Sequence, residues 1–267
     1  MGRRLSPPQP AVGAVLAPRP AIRDTPVVTA ADTKPRFQPP WIVRFYRSAV
    51  VKKWAMALSG IVLIAYVIAH LYGNLKMYMS AEQVNHYAEA LRDLGGDLFP
   101  RTSVLWAMRL GLLAALILHV HAAYSLTYTN WKARSGRYQE RDYAVANYAS
   151  RTMRWTGIIV LLFVAFHLAD LTWGTQPAAT AEFTRGEVYD NVIRSLQRPA
   201  VAGIYVVANL ALGFHLYHGV WSLFQSIGWS HPTFNRWRRY LAFAVTGAVT
   251  AGNLSFPIAV QTGLLSL

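Results

Sequence analysis

The sequence predicts an all-α integral membrane bundle of five transmembrane helices. Three observations carry that prediction. Charged residues make up 14% of the 267 residues and hydrophobic ones 54%, against about 25% charged in an ordinary soluble domain. Five long apolar runs are separated by charged segments, a pattern that a bilayer explains better than one large soluble core. Basic residues, finally, are distributed very unevenly among those segments.

Residues 1–40 are rich in Pro, Ala, Thr and Arg without sustained periodicity. They are expected to form a disordered or extended cytoplasmic tail, with residues 41–267 as the membrane domain. A cleaved signal peptide fits poorly, because the first hydrophobic run begins near Trp54 and no small-residue cleavage site follows it. The spans are read at 54–72, 104–127, 155–173, 201–224 and 240–262. Each has 19–24 residues, enough at about 1.5 Å per residue to cross about 30 Å of hydrocarbon. After the first span, AEQVNHYAEALRDL (81–94) places Val84, Tyr87, Ala88 and Leu91 on one side of a short amphipathic helix. No internal repeat, P-loop, Rossmann fingerprint or zinc-protease motif stands out.

Charge sets the expected orientation. Segments 1–53, 128–154 and 225–239 hold 10, 6 and 3 Lys or Arg and four acids, whereas 73–103 and 174–200 together hold six basic residues and seven acids. The positive-inside rule puts the N-terminus in the cytoplasm and the C-terminus outside. Trp41, Trp54, Trp131, Trp155, Trp173, Trp221 and Trp229 fall near the proposed interfaces, as aromatic anchors do. The formal net charge of +14 belongs to loops between apolar helices, which excludes nucleic acid as a partner and fits lipid headgroups. Without cysteine, the chain makes no disulfide and cannot hold a Cys-ligated cluster alone.

Histidine is rare in lipid-spanning helices because its ring nitrogens need partners in hydrocarbon. Four of the five spans carry one. His70 lies 16 residues past Trp54 and His167 12 past Trp155, or about 24 and 18 Å above the inner edge at helical rise. His119 lies 15 residues below Val104 and His215 14 below Val201, which leaves both about 8 Å above that edge. Reversed helix direction therefore yields an outer pair, His70 with His167, and an inner pair, His119 with His215. Two opposed imidazoles from different helices can ligate one haem iron axially and hold it low-spin, so two b haems at staggered depth are expected. Small residues nearby, including Ala122, Ala165, Gly213 and Gly219, leave room for a flat macrocycle or serve plain helix packing.

Other polar groups have several readings. His218, three residues past His215, can donate to a haem propionate, line a quinone pocket or be a ligand itself; His121 is expected to be structural. Lys52, Lys53, Ser59, Arg151, Arg154 and Trp221 lie at the inner rim, where propionates or a quinone carbonyl need polar contacts. Asp170 is the only acid inside a span and Arg109 the only base. Asp170 is expected to orient an imidazole, pass a proton or pair with Arg109. Two alternatives stand beside the haem reading. One is a Rieske-type cluster with histidines from this chain and cysteines from a partner. The other, a proton-relay transporter, calls for a matching pair of broken helices, whereas Pro257 is the only proline within a span.

At these residues the chain resembles the cytochrome b558-type membrane anchor of succinate dehydrogenase, in the single-anchor form of actinobacteria. The resemblance is carried by KKWAMALSGIVLIAYVIAHLYGNLKMY (52–78), VLWAMRLGLLAALILHVHAAYSLT (104–127), YASRTMRWTGIIVLLFVAFHLADLTWG (148–174), VYDNVI (188–193), NLALGFHLYHGVWSLFQSIGW (209–229) and NLSFPIAV (253–260). It implies a multi-pass anchor in a bacterial cytoplasmic membrane, partnered by a flavoprotein with covalent FAD and an iron–sulfur subunit on the cytoplasmic face. Electrons would pass from succinate to quinone, menaquinone in this branch, with no catalysis of succinate chemistry by this chain. It also implies His119 and His215 as ligands of the haem nearer the soluble subunits, His70 and His167 as ligands of the farther one, and leaves open a higher oligomer and the direction of the reaction. His218 and the HVH spelling around His121 depart from simpler members of the family.

Overall fold

The computed structural model describes residues 40–46, 48–133, 144–229, 231 and 235–267, with 133 and 144–151 as backbone only. Trp41–Leu267 forms one compact unit, to which all the helices described belong; of the tail expected over residues 1–40, residues 1–39 lie outside the described residues. Among the described residues every regular element is helical.

A short helix α1 (Trp41–Tyr46) leads into α2 (Ala49–Asn74). Ser48 caps α2 by accepting from the Val51 N–H at 3.2 Å, satisfying one of the donors a helix start leaves open. A 3₁₀ turn, Leu75–Tyr78, follows, then α3 (Ala81–Ala90), capped by Ser80 accepting from the Gln83 N–H at 3.1 Å. Next come α4 (Ser103–Ala133) and α5 (Ala144–Leu168), the latter widening into a π-turn at Ala169–Trp173. The turn ends at Gly174, whose φ of 67° and whose place against the Phe183 ring both require a residue without Cβ. Then α6 (Val188–Leu196), α7 (Pro199–Ser226) and α8 (Asn235–Gln261) complete the chain. Pro199 opens α7 at a position where a missing N–H costs nothing.

Five helices are long and apolar enough to cross a membrane: Ala49–Tyr78, Ser103–Lys132, Thr152–Trp173, Pro199–Ser226 and Asn235–Gln261. The protein is a multi-pass membrane protein. Each expected span falls on one of these helices, most of them running some residues further. Trp41, Trp54, Trp131, Trp155, Trp173 and Trp229 are exposed, whereas Trp221 is half-buried. The sequence reading had no helix at α1 or at α6; α6 is too short to carry a span, and its apolar face is buried through Ile193 and Leu196.

Packing organises these helices into two antiparallel hairpins. α2 packs on α4, and α5 packs on α7, while α8 lies along α7. Between the hairpins the contact is lighter and runs mainly between α2 and α7. The buried apolar core sits at the end of the bundle formed by α3, α6 and the C-terminus, with Leu71, Met77, Val84, Ile193, Leu196, Val249, Phe256 and Val260 in one cluster. Polar bonds tie the same end: Asn85 Nδ2 donates to Glu187 Oε2 at 3.1 Å, and the Tyr189 N–H donates to Asn85 Oδ1 at 3.1 Å. Arg101 is paired with both Glu89 and Asp93 there.

Gly213 does not leave room for a macrocycle, one of the two readings the sequence allowed. A Cβ there would lie 2.5 Å from Thr250 Oγ1, so the missing side chain is what lets α8 approach α7. Gly203, elsewhere on α7, has nothing within 4 Å of such a Cβ. Gly213→Ala is therefore expected to lower stability by about 1–3 kcal/mol through overpacking, and Gly203→Ala to leave it unchanged or slightly raised. Thermal unfolding of the two purified variants checks this.

Candidate functional site

The four spanning histidines come together in two pairs. The rings of His70 and His167 have centroids 5.8 Å apart and lie at 81° to one another. Those of His119 and His215 are 6.3 Å apart at 68°. Two bonds of about 2 Å from a first-row metal, plus roughly 1.1 Å from nitrogen to ring centre on each side, would separate opposed ligand rings by about 6.2 Å. Both pairs match that spacing. Each joins one hairpin to the other, since His70 and His119 belong to α2 and α4, and His167 and His215 to α5 and α7. Among the described residues no three His, Cys, Asp or Glu side chains gather as a metal site, so two-imidazole axial ligation is the metal chemistry these pairs fit.

Hydrogen bonds decide which ring nitrogen is bare. Ser59 Oγ donates its own hydrogen to Ala55 O at 2.6 Å, so toward His119 Nδ1, 3.3 Å away, it can only accept. Met56 O, a carbonyl, lies 3.1 Å from the same nitrogen. Thr156 repeats the arrangement, donating to Thr152 O at 2.8 Å and standing 3.4 Å from His215 Nδ1, with the Met153 backbone also bonded to His215. At the other level Tyr205 donates its hydroxyl hydrogen to Asp170 Oδ2 at 2.9 Å, and its oxygen lies 3.1 Å from His167 Nδ1. In all three cases the partner accepts. The proton sits on Nδ1, and the lone pair is left on Nε2 for the facing histidine's side. His70 is placed instead by stacking on Tyr66, centroids 5.5 Å apart and planes 11° apart.

The partners reveal a repeat that the sequence reading missed. Met56, Ser59, Gly60, Ile61 and His70 recur as Met153, Thr156, Gly157, Ile158 and His167 at one constant offset. The glycines back the rings: a Cβ on Gly60 would lie 3.4 Å from His119 Cε1, and one on Gly157 3.4 Å from His215 Cε1. From Ser59 to His70, and from Thr156 to His167, is 11 residues, about 16 Å along a helix. The two levels are thus equally spaced in both halves. Counting depth from Trp54 and Trp155 gave unequal values because those tryptophans are not equivalent positions. The signal was the spacing Met-x-x-(Ser/Thr)-Gly-Ile followed by His, which would also have singled out Thr156.

Other expected site residues divide. His218 is half-buried with its ring edge-on to Tyr217, 5.4 Å away, and its Nδ1 is buried without a hydrogen-bond partner. His121 is absorbed structurally: Tyr46 Oη lies 2.8 Å from its Nδ1 and the rings stack at 5.6 Å. Ser59 is buried and acts on His119, Arg154 is exposed, and Trp221 is half-buried one turn past His218. The side chain of Arg151 lies outside the described residues. Asp170 does not pair with Arg109, which is exposed over the Trp106 ring. Its fully buried carboxylate takes Arg198 Nη2 at 3.1 Å and Ser195 Oγ at 2.5 Å. Both partners come from the segment before α7, which brings them beside the end of α5 only through the tertiary fold. Arg198 also borders an open cleft of about 580 Å³ shared with Gln176, Ala179, Arg194 and Gln197.

Comparison with known proteins bears on this arrangement. Residues 125–253 match the family model for the succinate dehydrogenase/fumarate reductase transmembrane subunit; that stretch contains His167 and His215. A succinate dehydrogenase cytochrome b558 subunit of Bacillus subtilis (strain 168) is 27% identical over 167 residues, which cover 62% of this chain and 74% of that protein. No solved structure matches the chain. With five membrane helices and paired histidines in two of the matched ones, the chain is similar to the succinate dehydrogenase/fumarate reductase transmembrane subunits.

Proposed function

We propose that this chain is the membrane anchor and electron-transferring subunit of a succinate:quinone oxidoreductase, holding two b haems. His119 and His215 ligate one, and His70 and His167 the other. One observation carries the reading: three of the four imidazoles are held through Nδ1 by partners that can only accept, which leaves Nε2 free for a metal, and the rings pair at metal-ligand spacing. Bound there, bis-imidazole iron takes up and releases one electron at a time with little rearrangement.

The chain's own residues prepare that site. Ser59 and Thr156 fix the inner rings, and Gly60 and Gly157 line the edges of those rings on the neighbouring helices. His218 offers a buried, unpartnered nitrogen one turn from His215, suited to a propionate or a quinone carbonyl. Arg154 and Trp221 supply a cation and an indole at the same rim. Basic segments around α1, the end of α4 and the start of α8 put that rim in the cytoplasm, with the C-terminus outside. The flavoprotein, with its FAD, and the iron–sulfur subunit dock there, and the chain connects them to menaquinone in the bilayer.

Optical and EPR spectra of the purified complex, with a haem-to-protein ratio, test the reading. Two low-spin b haems per chain are expected. His215→Ala should abolish the inner signal alone and His167→Ala the outer signal alone; intact signals in both variants would reject these ligands. A Rieske-type EPR signal without haem would favour the cluster alternative. The anchoring groups have their own signature. The double variant Ser59→Ala/Thr156→Ala should weaken haem retention at the inner level by about 10-fold, the low end for loss of groups that orient a ligand, because the Met56 and Met153 carbonyls remain. Haem titration of the depleted complex measures this.

A further inference from the structure

The inner and outer histidine pairs are backed by different chemistry. Behind His119 and His215 stand neutral acceptors, a serine, a threonine and backbone carbonyls. Behind His167 stands Tyr205, and behind Tyr205 the carboxylate of Asp170, which is fully buried. Its Oδ2 takes two hydroxyl hydrogens, from Ser195 at 2.5 Å and Tyr205 at 2.9 Å, and its Oδ1 takes Arg198 Nη2 at 3.1 Å. Arg198 shares that same nitrogen with Ala178 O at 2.6 Å. Its own side chain is 31% exposed beside the cleft, so it compensates the carboxylate only in part.

We propose that Asp170, acting through Tyr205, is a positioning residue that sets the reduction potential of the outer metal centre. The proposal rests on the reading that His70 and His167 hold iron. An imidazole whose N–H bonds to a strong acceptor becomes a more basic ligand and favours the oxidised metal. Tyr205 gives its only hydrogen to a carboxylate, which polarises its oxygen and strengthens it as acceptor for His167 Nδ1–H. Asp170 thereby lowers the potential of the outer centre by way of a single hydroxyl. Ser195 draws on the same oxygen, Oδ2, and moderates the effect. Behind the inner pair Ser59 and Thr156 donate to backbone carbonyls, which carry no net charge, so the inner centre is insulated from these changes.

Potentiometric titration of both centres in the intact complex tests this, with Tyr205→Phe and Ser195→Ala as variants. Tyr205→Phe removes the acceptor, and the outer midpoint should rise by the equivalent of a tenfold change in the oxidised-to-reduced ratio, about 59 mV for one electron. Ser195→Ala frees Oδ2 for Tyr205 alone, and the outer midpoint should fall by a smaller amount. Neither should move the inner midpoint. Shifts of opposite sign would not arise from general loosening of the fold. Outer midpoints equal to wild type in both variants, with two haems still present, overturn the proposal and leave the haem assignment standing. Absence of an outer low-spin centre from the wild-type complex overturns the assignment and this proposal with it. Should Tyr205→Phe lose the outer centre, the Ser195→Ala midpoint decides: a fall supports the proposal, and no change overturns it.

Discussion

An imidazole inside a bilayer has two nitrogens to satisfy and no water with which to do it. In this chain that constraint is met by giving each of three rings an acceptor on Nδ1, supplied by the adjacent helix of the same hairpin for the inner rings and by α7 for His167. The remaining nitrogen is then free of that bond, in a ring that lies opposite a histidine of the other hairpin. Depth, ring orientation and the pairing of helices all follow from where those acceptors stand. A serine or threonine that has spent its own hydrogen on a carbonyl four residues back suits this task, because it cannot compete as a donor.

The repeated hairpin explains why both levels are equally spaced, and its departures from symmetry explain why the levels differ. In the first half Tyr66 stacks on His70; in the second, Phe163 lies tilted beside His167, and Tyr205 bonds to it from α7. The π-turn after α5 and the helix α6 have no counterparts of the same kind in the first half, which instead has a 3₁₀ turn and α3. Those additions carry the buried Asp170–Ser195–Arg198 cluster, and so the charge near one histidine pair and not the other. Of the five membrane helices, α8 alone brings no histidine. It serves α7, through the notch at Gly213 and Thr250, and it meets α2 where Gly252 lies against Leu71.

The spans and the two histidine levels were legible because hydrophobic length and helical rise are local properties, and because antiparallel direction converts sequence distance into depth. Pairing His119 with His215 needed nothing more. The acceptors were harder to see. Ser59 and Thr156 look like ordinary small polar residues until the constant offset between their neighbourhoods is noticed. Asp170 was visible as a lone acid, but its partner was not: Arg198 lies 28 residues on, beyond a loop whose path no periodicity encodes, whereas Arg109 lay conspicuously inside a span. Gly213 stayed open between two readings for a similar reason, since a helical glycine beside a histidine does not announce which neighbour it accommodates, and the structure selects helix packing.

The apolar core is gathered at one end of the bundle, where α3, α6 and the C-terminus close over the helix ends. Further down, the two hairpins face each other through the His70–His167 and His119–His215 ring pairs. Biogenesis of such a protein has a built-in sequence. The capped end can consolidate as soon as the last helix is inserted, acting as a hinge that keeps the two arms in register, while the opposite end stays open like a clothes-peg. Quality control in the cell would then read the lower arms, since a chain whose arms have not been drawn together offers proteases a long, loosely apposed pair of helices at the end away from the cap.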